Sequence, residues 1–243
     1  MVSGSWDYIL GIVTLLALPC VVLRWVATPG LDRAALWLST LTIAAIGSTW
    51  SATLCAQGWW QFGARHCLGI WLAQGHLLLE ELLFYPIAGA LVVLLYQSGR
   101  NGTPLRGWAR PALAALTVGF LAVAALRTPH SQYLTSQIVV YNLISLGFLA
   151  KFPSAVDAGG ARRAVLGLAV IGGAWDSFAY PQGWWTYRAS TGMLLGGIPF
   201  DDLNFFVFAP LAGICAYEGW RLALARRSAL GRGDVARTLH GNA

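Results

Sequence analysis

The chain has 243 residues, of which 57% are apolar and only 11% charged, with a net charge of +6 and a mean hydropathy of +0.60. Those values exclude an ordinary soluble domain and point to an all-α, polytopic membrane protein. The positive charge does not call for nucleic acid, because a basic inner rim that meets anionic lipid heads accounts for it.

Seven runs can cross about 30 Å of hydrocarbon as helices. The first, Tyr8 to Trp25, follows a segment Met1 to Asp7 without Lys or Arg. A signal peptide needs a basic n-region, so this run is read as a retained helix. The second and third runs are Ala35 to Ala56 and Leu77 to Tyr96. Ser98 to Arg110 is polar, rich in Gly and contains one Pro, which suits a loop joining two halves. The fourth run, Pro111 to Leu126, is the shortest, and the fifth is Tyr133 to Ala150. A second polar join, Lys151 to Arg163, leads to the sixth run, Ala164 to Tyr180. The seventh, Ile198 to Trp220, is followed by a basic tail expected to be partly disordered.

Basic residues orient these spans. With the N-terminus outside, the inner segments carry Arg24, Arg33, Arg100, Arg106, Arg110, Lys151, Arg162, Arg163, Arg221, Arg226, Arg227, Arg232 and Arg237. The outer loops carry only Arg65, Arg127 and Arg188. Cytoplasmic loops keep such an excess, so the chain reads as a cell (inner) membrane protein with its C-terminus in the cytoplasm.

One phrase occurs twice. Trp50 to Tyr85 contains W-S-A-T-L-C-A-Q-G-W-W-Q-F and later H-L-L-L-E-E-L-L-F-Y. Trp175 to Phe206 contains W-D-S-F-A-Y-P-Q-G-W-W-T-Y and later G-I-P-F-D-D-L-N-F-F. The odd fourth span gives both copies the same orientation, so the repeats are read as parallel three-helix units. Residues 1–98 form the first unit, 99–130 a linker with span four, 131–224 the second unit and 225–243 the tail.

Acidic pairs inside apolar runs are the functional signal, since a charge at the bilayer centre costs at least about 3 kcal/mol. On a helix Glu80 shares a face with Phe84, Glu81 with Tyr85, Asp201 with Phe205 and Asp202 with Phe206. Desolvation and like-charge repulsion favour a protonated carboxyl, so each pair is expected to store an acid in a dry site. Trp50, Trp59, Trp60, Phe62, Trp175, Trp184, Trp185 and Tyr187 could face a cation there, at roughly 2 kcal/mol or more per desolvated ring. An acid with an aromatic lining fits protonation of an alkene followed by carbocation cyclisation. Two plainer readings stand beside it: Trp and Tyr near helix ends also anchor at interfaces, and a buried acid can be a structural hydrogen-bond node.

Other signals are weaker. His76 precedes Glu80 by four residues, a helical spacing that suits a metal, but its counterpart is Gly197 and no metal is expected. His66, His130 and His240 fall in predicted loops or the tail. Cys20, Cys55, Cys67 and Cys215 form no C-x-x-C. Glu218 is read as an ion pair with Arg221 at i+3.

The residues of the second copy resemble the membrane lycopene cyclase domain family, cofactor-free cyclases of bacteria, archaea and fungi that occur as heterodimers or fused tandem domains. Its pattern is a W-D near one helix end, a G-x-W segment, and P-x-E-E/D-x-x-F-F opening the next helix. Trp175-Asp176, Gly183-Trp184-Trp185 and Pro199-Phe200-Asp201-Asp202 with Phe205-Phe206 match it, and the resemblance covers nearly the whole chain. The first copy departs from the pattern, with Ser51 opposite Asp176, Leu78 opposite Pro199 and Tyr85 for the last Phe, and in the second copy Asp201-Asp202 replaces the more usual Glu-rich pair.

The resemblance implies a redox-neutral isomerisation of a linear carotenoid, a lipophilic polyisoprenoid taken from the bilayer. Asp201, Asp202, Glu80 and Glu81 would serve as acid and base, with Asp176 orienting or relaying the proton and Phe84, Phe205 and Phe206 lining the site. The departures motivate a variant, a terpene cyclase of the same fold acting on a C50 carotenoid or a prenylated ring compound. A proton-coupled transporter is a third reading, opposed by the lack of an intramembrane Lys or Arg partner. A retinal photoreceptor is excluded, because the only lysine is Lys151 at a helix end.

Overall fold

The structure is a computed structural model that describes residues 5–25, 30–105 and 107–240, with side chains as far as Leu230. Met1 to Gly4, Arg106, residues 241–243 and the side chains of Arg232, Arg237 and His240 lie outside the described residues. Among those described, the chain forms helices α1 (Asp7–Trp25), α2 (Arg33–Ala56), α3 (Leu79–Gly99), α4 (Ala109–Leu126), α5 (Gln132–Lys151), α6 (Ala158–Ala179) and α7 (Phe200–His240).

Six of them, all but α6, are long and apolar enough to cross a membrane. Helix α6 has 22 residues but carries Arg162, Arg163 and Asp176. It starts well before the expected Ala164 because Asp157 caps it, its side chain accepting from the Gly160 amide at 2.8 Å. Asp32 caps α2 in the same way, accepting from the Ala35 amide at 3.0 Å. Helix α7 differs most from expectation. It continues through His240 rather than fraying after Arg221, and the stretch Arg221 to Leu230 is filled largely by the good helix formers Arg, Leu and Ala.

The expected all-helical chain also contains three short antiparallel ribbons. Strand β1 (Trp60–Phe62) pairs with β4 (Trp185–Tyr187), β2 (Trp71–Leu72) with β3 (Leu77–Leu78), and β5 (Leu194–Leu195) with β6 (Ile198–Pro199). The glycine of each Q-G-W-W creates the first ribbon. Gly58 and Gly183 have φ of 68° and 72°, a left-handed geometry open to glycine that turns the chain out of α2 and α6 into the strands. In the ladder Trp60 faces Tyr187 and Phe62 faces Trp185, with Gln61 opposite Thr186 at the centre.

Helices α3 and α7 occupy the middle of the bundle, each packing on the other and on α2 and α6. Helix α4 packs on α5 at the periphery. Its Thr117 hydroxyl accepts from Asn142 at 3.1 Å, and Asn142 exchanges two amide hydrogen bonds with Asn204 of α7.

Matching pairs of contacts occur both between and within the halves. The Asp157 amide donates to the Tyr96 hydroxyl at 3.0 Å, and the Asp32 amide donates to the Tyr217 hydroxyl at 3.1 Å. A Cβ at Gly47 would collide with the Tyr85 ring, and one at Gly172 with the Phe206 ring. Helices α1 and α5 each widen into a π-helical turn, at Ile12–Ala17 and Ile138–Asn142, a feature frequent at functional sites.

Candidate functional site

Each acidic pair lies in the first turn of its helix, directly after a hairpin, where the helix N-terminus favours negative charge. The two carboxyls of a pair then part, as the helical turn between adjacent residues requires. Glu80 turns back on the preceding loop, its Oε1 accepting from the Leu68 amide at 2.5 Å. Asp201 does the same, accepting from the Thr191 amide at 3.2 Å and from its hydroxyl at 2.6 Å.

The second carboxyls point into the bundle. Glu81 accepts hydrogen bonds from the Tyr8 hydroxyl and, at 3.2 Å, from the Ser51 hydroxyl. Asp202 accepts from the Tyr133 hydroxyl at 3.0 Å, and Asp176 and Tyr187 lie against it. Three of these partners match at one offset of 125 positions: Tyr8 with Tyr133, Ser51 with Asp176, and Phe62 with Tyr187. The two carboxyls are 1% and 3% exposed, so neither charge is solvated by bulk water.

Both open on one cavity with about 640 Å³ of space between atoms. Its wall comes from both halves: Trp50, Trp60, Phe84 and Tyr85 with Glu81 from the first, and Trp175, Trp185, Tyr187, Phe205 and Phe206 with Asp176 and Asp202 from the second. Tyr8 and Tyr133 also line it, with Leu16, Leu168, Ile171 and Gly172. The rings hold one another in place. Trp50 stacks on Phe205 at 6.3 Å and on Tyr133 at 5.7 Å, and Tyr133 stacks on Tyr187 at 4.2 Å. Burial and the nearby Asp202 raise the Tyr187 phenol well above its ordinary range, so it stays a neutral donor.

The remaining residues singled out in the sequence lie elsewhere. Trp59 borders a groove near Pro129. Trp184 is buried behind the cavity, stacked on His66 at 5.4 Å, and Phe62 stands 4.8 Å from Trp60. Glu80 and Asp201 fasten loops rather than line the cavity. His76 is exposed in the turn between β2 and β3, so its expected helical spacing to Glu80 does not arise; α3 begins only at Leu79. Among the described residues no cluster of three metal-binding side chains occurs. His66, read from the sequence as without signal, pairs with Asp7 at 2.9 Å. Glu218 forms the expected pair with Arg221 at 2.7 Å and also accepts from the Tyr96 hydroxyl at 2.8 Å.

Tyr8 and Tyr133 are cavity-lining tyrosines that the repeated phrase does not contain. Tyr8 and Tyr133 begin apolar runs at the common offset, which is the signal that finds them. Comparison of the chain with protein-family models, with curated proteins and with solved structures finds no match.

Proposed function

We propose that the protein is a cofactor-free membrane cyclase acting on a linear carotenoid of the lycopene type. One observation carries this reading: carboxyls from the two halves, Glu81 and Asp202, each held by a tyrosine hydroxyl, open on a single aromatic cavity. The paired contacts support an arrangement of two parallel three-helix repeats joined by α4, with α6 as a seventh span, and the excess of basic residues in the proposed inner segments supports an N-terminus outside and a C-terminus in the cytoplasm.

In this reaction a carboxylic acid gives its proton to the terminal alkene of an end group. The resulting cation is attacked by a neighbouring double bond, which forms the ring carbon–carbon bond and moves the charge onto the ring. A carboxylate then removes a ring proton, leaving a double bond in the β, γ or ε position. One proton enters and one leaves, so no oxidant or reductant is needed. Asp176 against Asp202 gives the second half two adjoining carboxyls, and a contact of that kind favours one shared proton. That makes the Asp176–Asp202 pair the acid of this proposal, with Glu81 as its partner base. The surrounding Trp and Phe rings would stabilise the cation through their π faces.

Expression in a lycopene-accumulating host, with pigment analysis, tests the reading. Ring-bearing products are expected, and unchanged lycopene with the protein present in the membrane would refute it. Ser51 in place of a second acid, and Asp201-Asp202 in place of a glutamate pair, favour one variant: the same chemistry on another polyprenyl chain, such as a C50 carotenoid or a prenylated ring compound.

A further inference from the structure

A second cavity adjoins the first, with about 960 Å³ of space between atoms counting its open side, and Phe84, Tyr85, Leu168 and Phe205 border both. Small side chains create it. Ala209, Ala212, Gly213 and Ala216 lie along one face of α7, opposite Ala88 and Gly89 of α3. From Phe205 to Ala216 the chamber follows eleven helical residues, about 16 Å of depth.

Its wall offers almost nothing to a polar ligand. The Thr42 hydroxyl is already bonded, donating to the Leu38 carbonyl at 2.8 Å and accepting from the Trp220 indole at 3.1 Å. On one side the chamber is bounded by Ile46 of α2 and Ile144 of α5, which are 38% and 42% exposed on the apolar flank of the bundle. These two helices each pack on α7. A hydrocarbon occupant could enter sideways from lipid, exchanging one apolar surrounding for another, so that fit to the chamber rather than escape from water decides its binding.

We propose that this chamber binds the unreacted tail of a linear polyisoprenoid whose end group lies between Glu81 and Asp202, and that it selects substrates by tail length. The proposal rests on the cyclase reading for the identity of the end group. Its own support is the continuity of the two cavities, the apolar wall and the flank that faces lipid.

The test uses the full chain in lipid nanodiscs and a series of acyclic polyprenes that share one end group and increase in carbon number. Binding is read by quenching of tryptophan fluorescence, and ring formation by product analysis. Ala216→Phe fills the far end of the chamber, Ala209→Phe the end near the acids, and Val118→Phe adds a ring on the exposed flank of α4 as a control. Ala216→Phe should weaken binding of the longest chains by about tenfold or more, through steric obstruction, and spare the short ones. Ala209→Phe should exclude shorter chains too, and Val118→Phe should match wild type. An unchanged melting temperature shows which variants remain folded, and two depths of obstruction keep the test decisive if one fails to fold. Equal binding of every chain length by folded wild type and Ala216→Phe would overturn the tail chamber. Length-dependent binding without any ring product would overturn the cyclase reading and leave the chamber standing.

Discussion

Tyr133 donates its phenolic hydrogen to Asp202 at 3.0 Å, and Tyr8 donates to Glu81 at the matching place in the other half. All four groups are nearly inaccessible to water, so the phenols stand in for the solvent that would otherwise orient these acids. A hydrogen bond to a charged group contributes about 1.5–3 kcal/mol. Under the proposed cyclisation, Tyr133→Phe is therefore expected to lower the rate of ring formation in isolated membranes by roughly 10- to 100-fold, with Tyr8→Phe in the same range. Wild-type rates in both variants would remove the tyrosines from the mechanism.

The parting of each acidic pair gives a second, sharper expectation. Asp202→Asn and Glu81→Gln keep the shape of the cavity but cannot exchange a proton with substrate, so both should abolish turnover in a folded, membrane-inserted protein. Glu80→Gln and Asp201→Asn weaken the bonds to Leu68 and Thr191. They are expected to cost about 1–3 kcal/mol of stability, seen as a lower melting temperature, while residual activity persists. If Asp201→Asn were inactive yet as stable as wild type, the division of labour within the pairs would be wrong.

The doubled phrase located the acids, the Trp pairs and the helix order, because intramembrane charge and apolar run length are local properties of a sequence. Which carboxyl of a pair faces inward was not legible. It depends on where α3 and α7 start, and the β2–β3 and β5–β6 hairpins that set those starts consist of strands only two residues long. Such strands leave no alternating pattern to read. Tyr8 and Tyr133 escaped notice for a related reason: each lies one helix away from the motif and meets its acid only through tertiary packing. The apolar chamber is likewise invisible in sequence, since Ala and Gly on α7 read as ordinary membrane-helix composition.

Gly47 and Gly172 carry the third prediction. Each lies beneath an aromatic ring of the facing central helix, Tyr85 or Phe206, and a methyl group would fall inside van der Waals contact with it. Both rings line the acid cavity, so the clash must displace a wall of the site or the helix itself. Gly47→Ala and Gly172→Ala should each destabilise by about 1–3 kcal/mol. Combining Gly172→Ala with Phe206→Leu should recover much of that loss, because the smaller side chain makes room. A double variant no more stable than Gly172→Ala alone would show that ring contact is not what requires the glycine.

The last prediction concerns Cys67, between α2 and α3, which is buried at 1% exposure with its carbonyl accepting from the Ser5 amide at 3.1 Å. Burial, then the charges of Glu80, Glu81 and Asp7, push its thiol up to about 12 from 9.0. At pH 8 an ordinary thiol of pKa 9.0 is about one-tenth thiolate, whereas Cys67 would hold far less of the reactive thiolate. Maleimide should therefore leave Cys67 unmodified in the native protein and label it after denaturation, with peptide mass analysis distinguishing it from the other cysteines. The direction of a mutational effect follows from the same charges. Glu80→Gln removes the nearest carboxylate contribution and loosens the Leu68 loop, so native labelling of Cys67 should rise. Labelling that is already fast in the wild type, or unchanged in Glu80→Gln, would contradict the packing of this loop against the acidic pair.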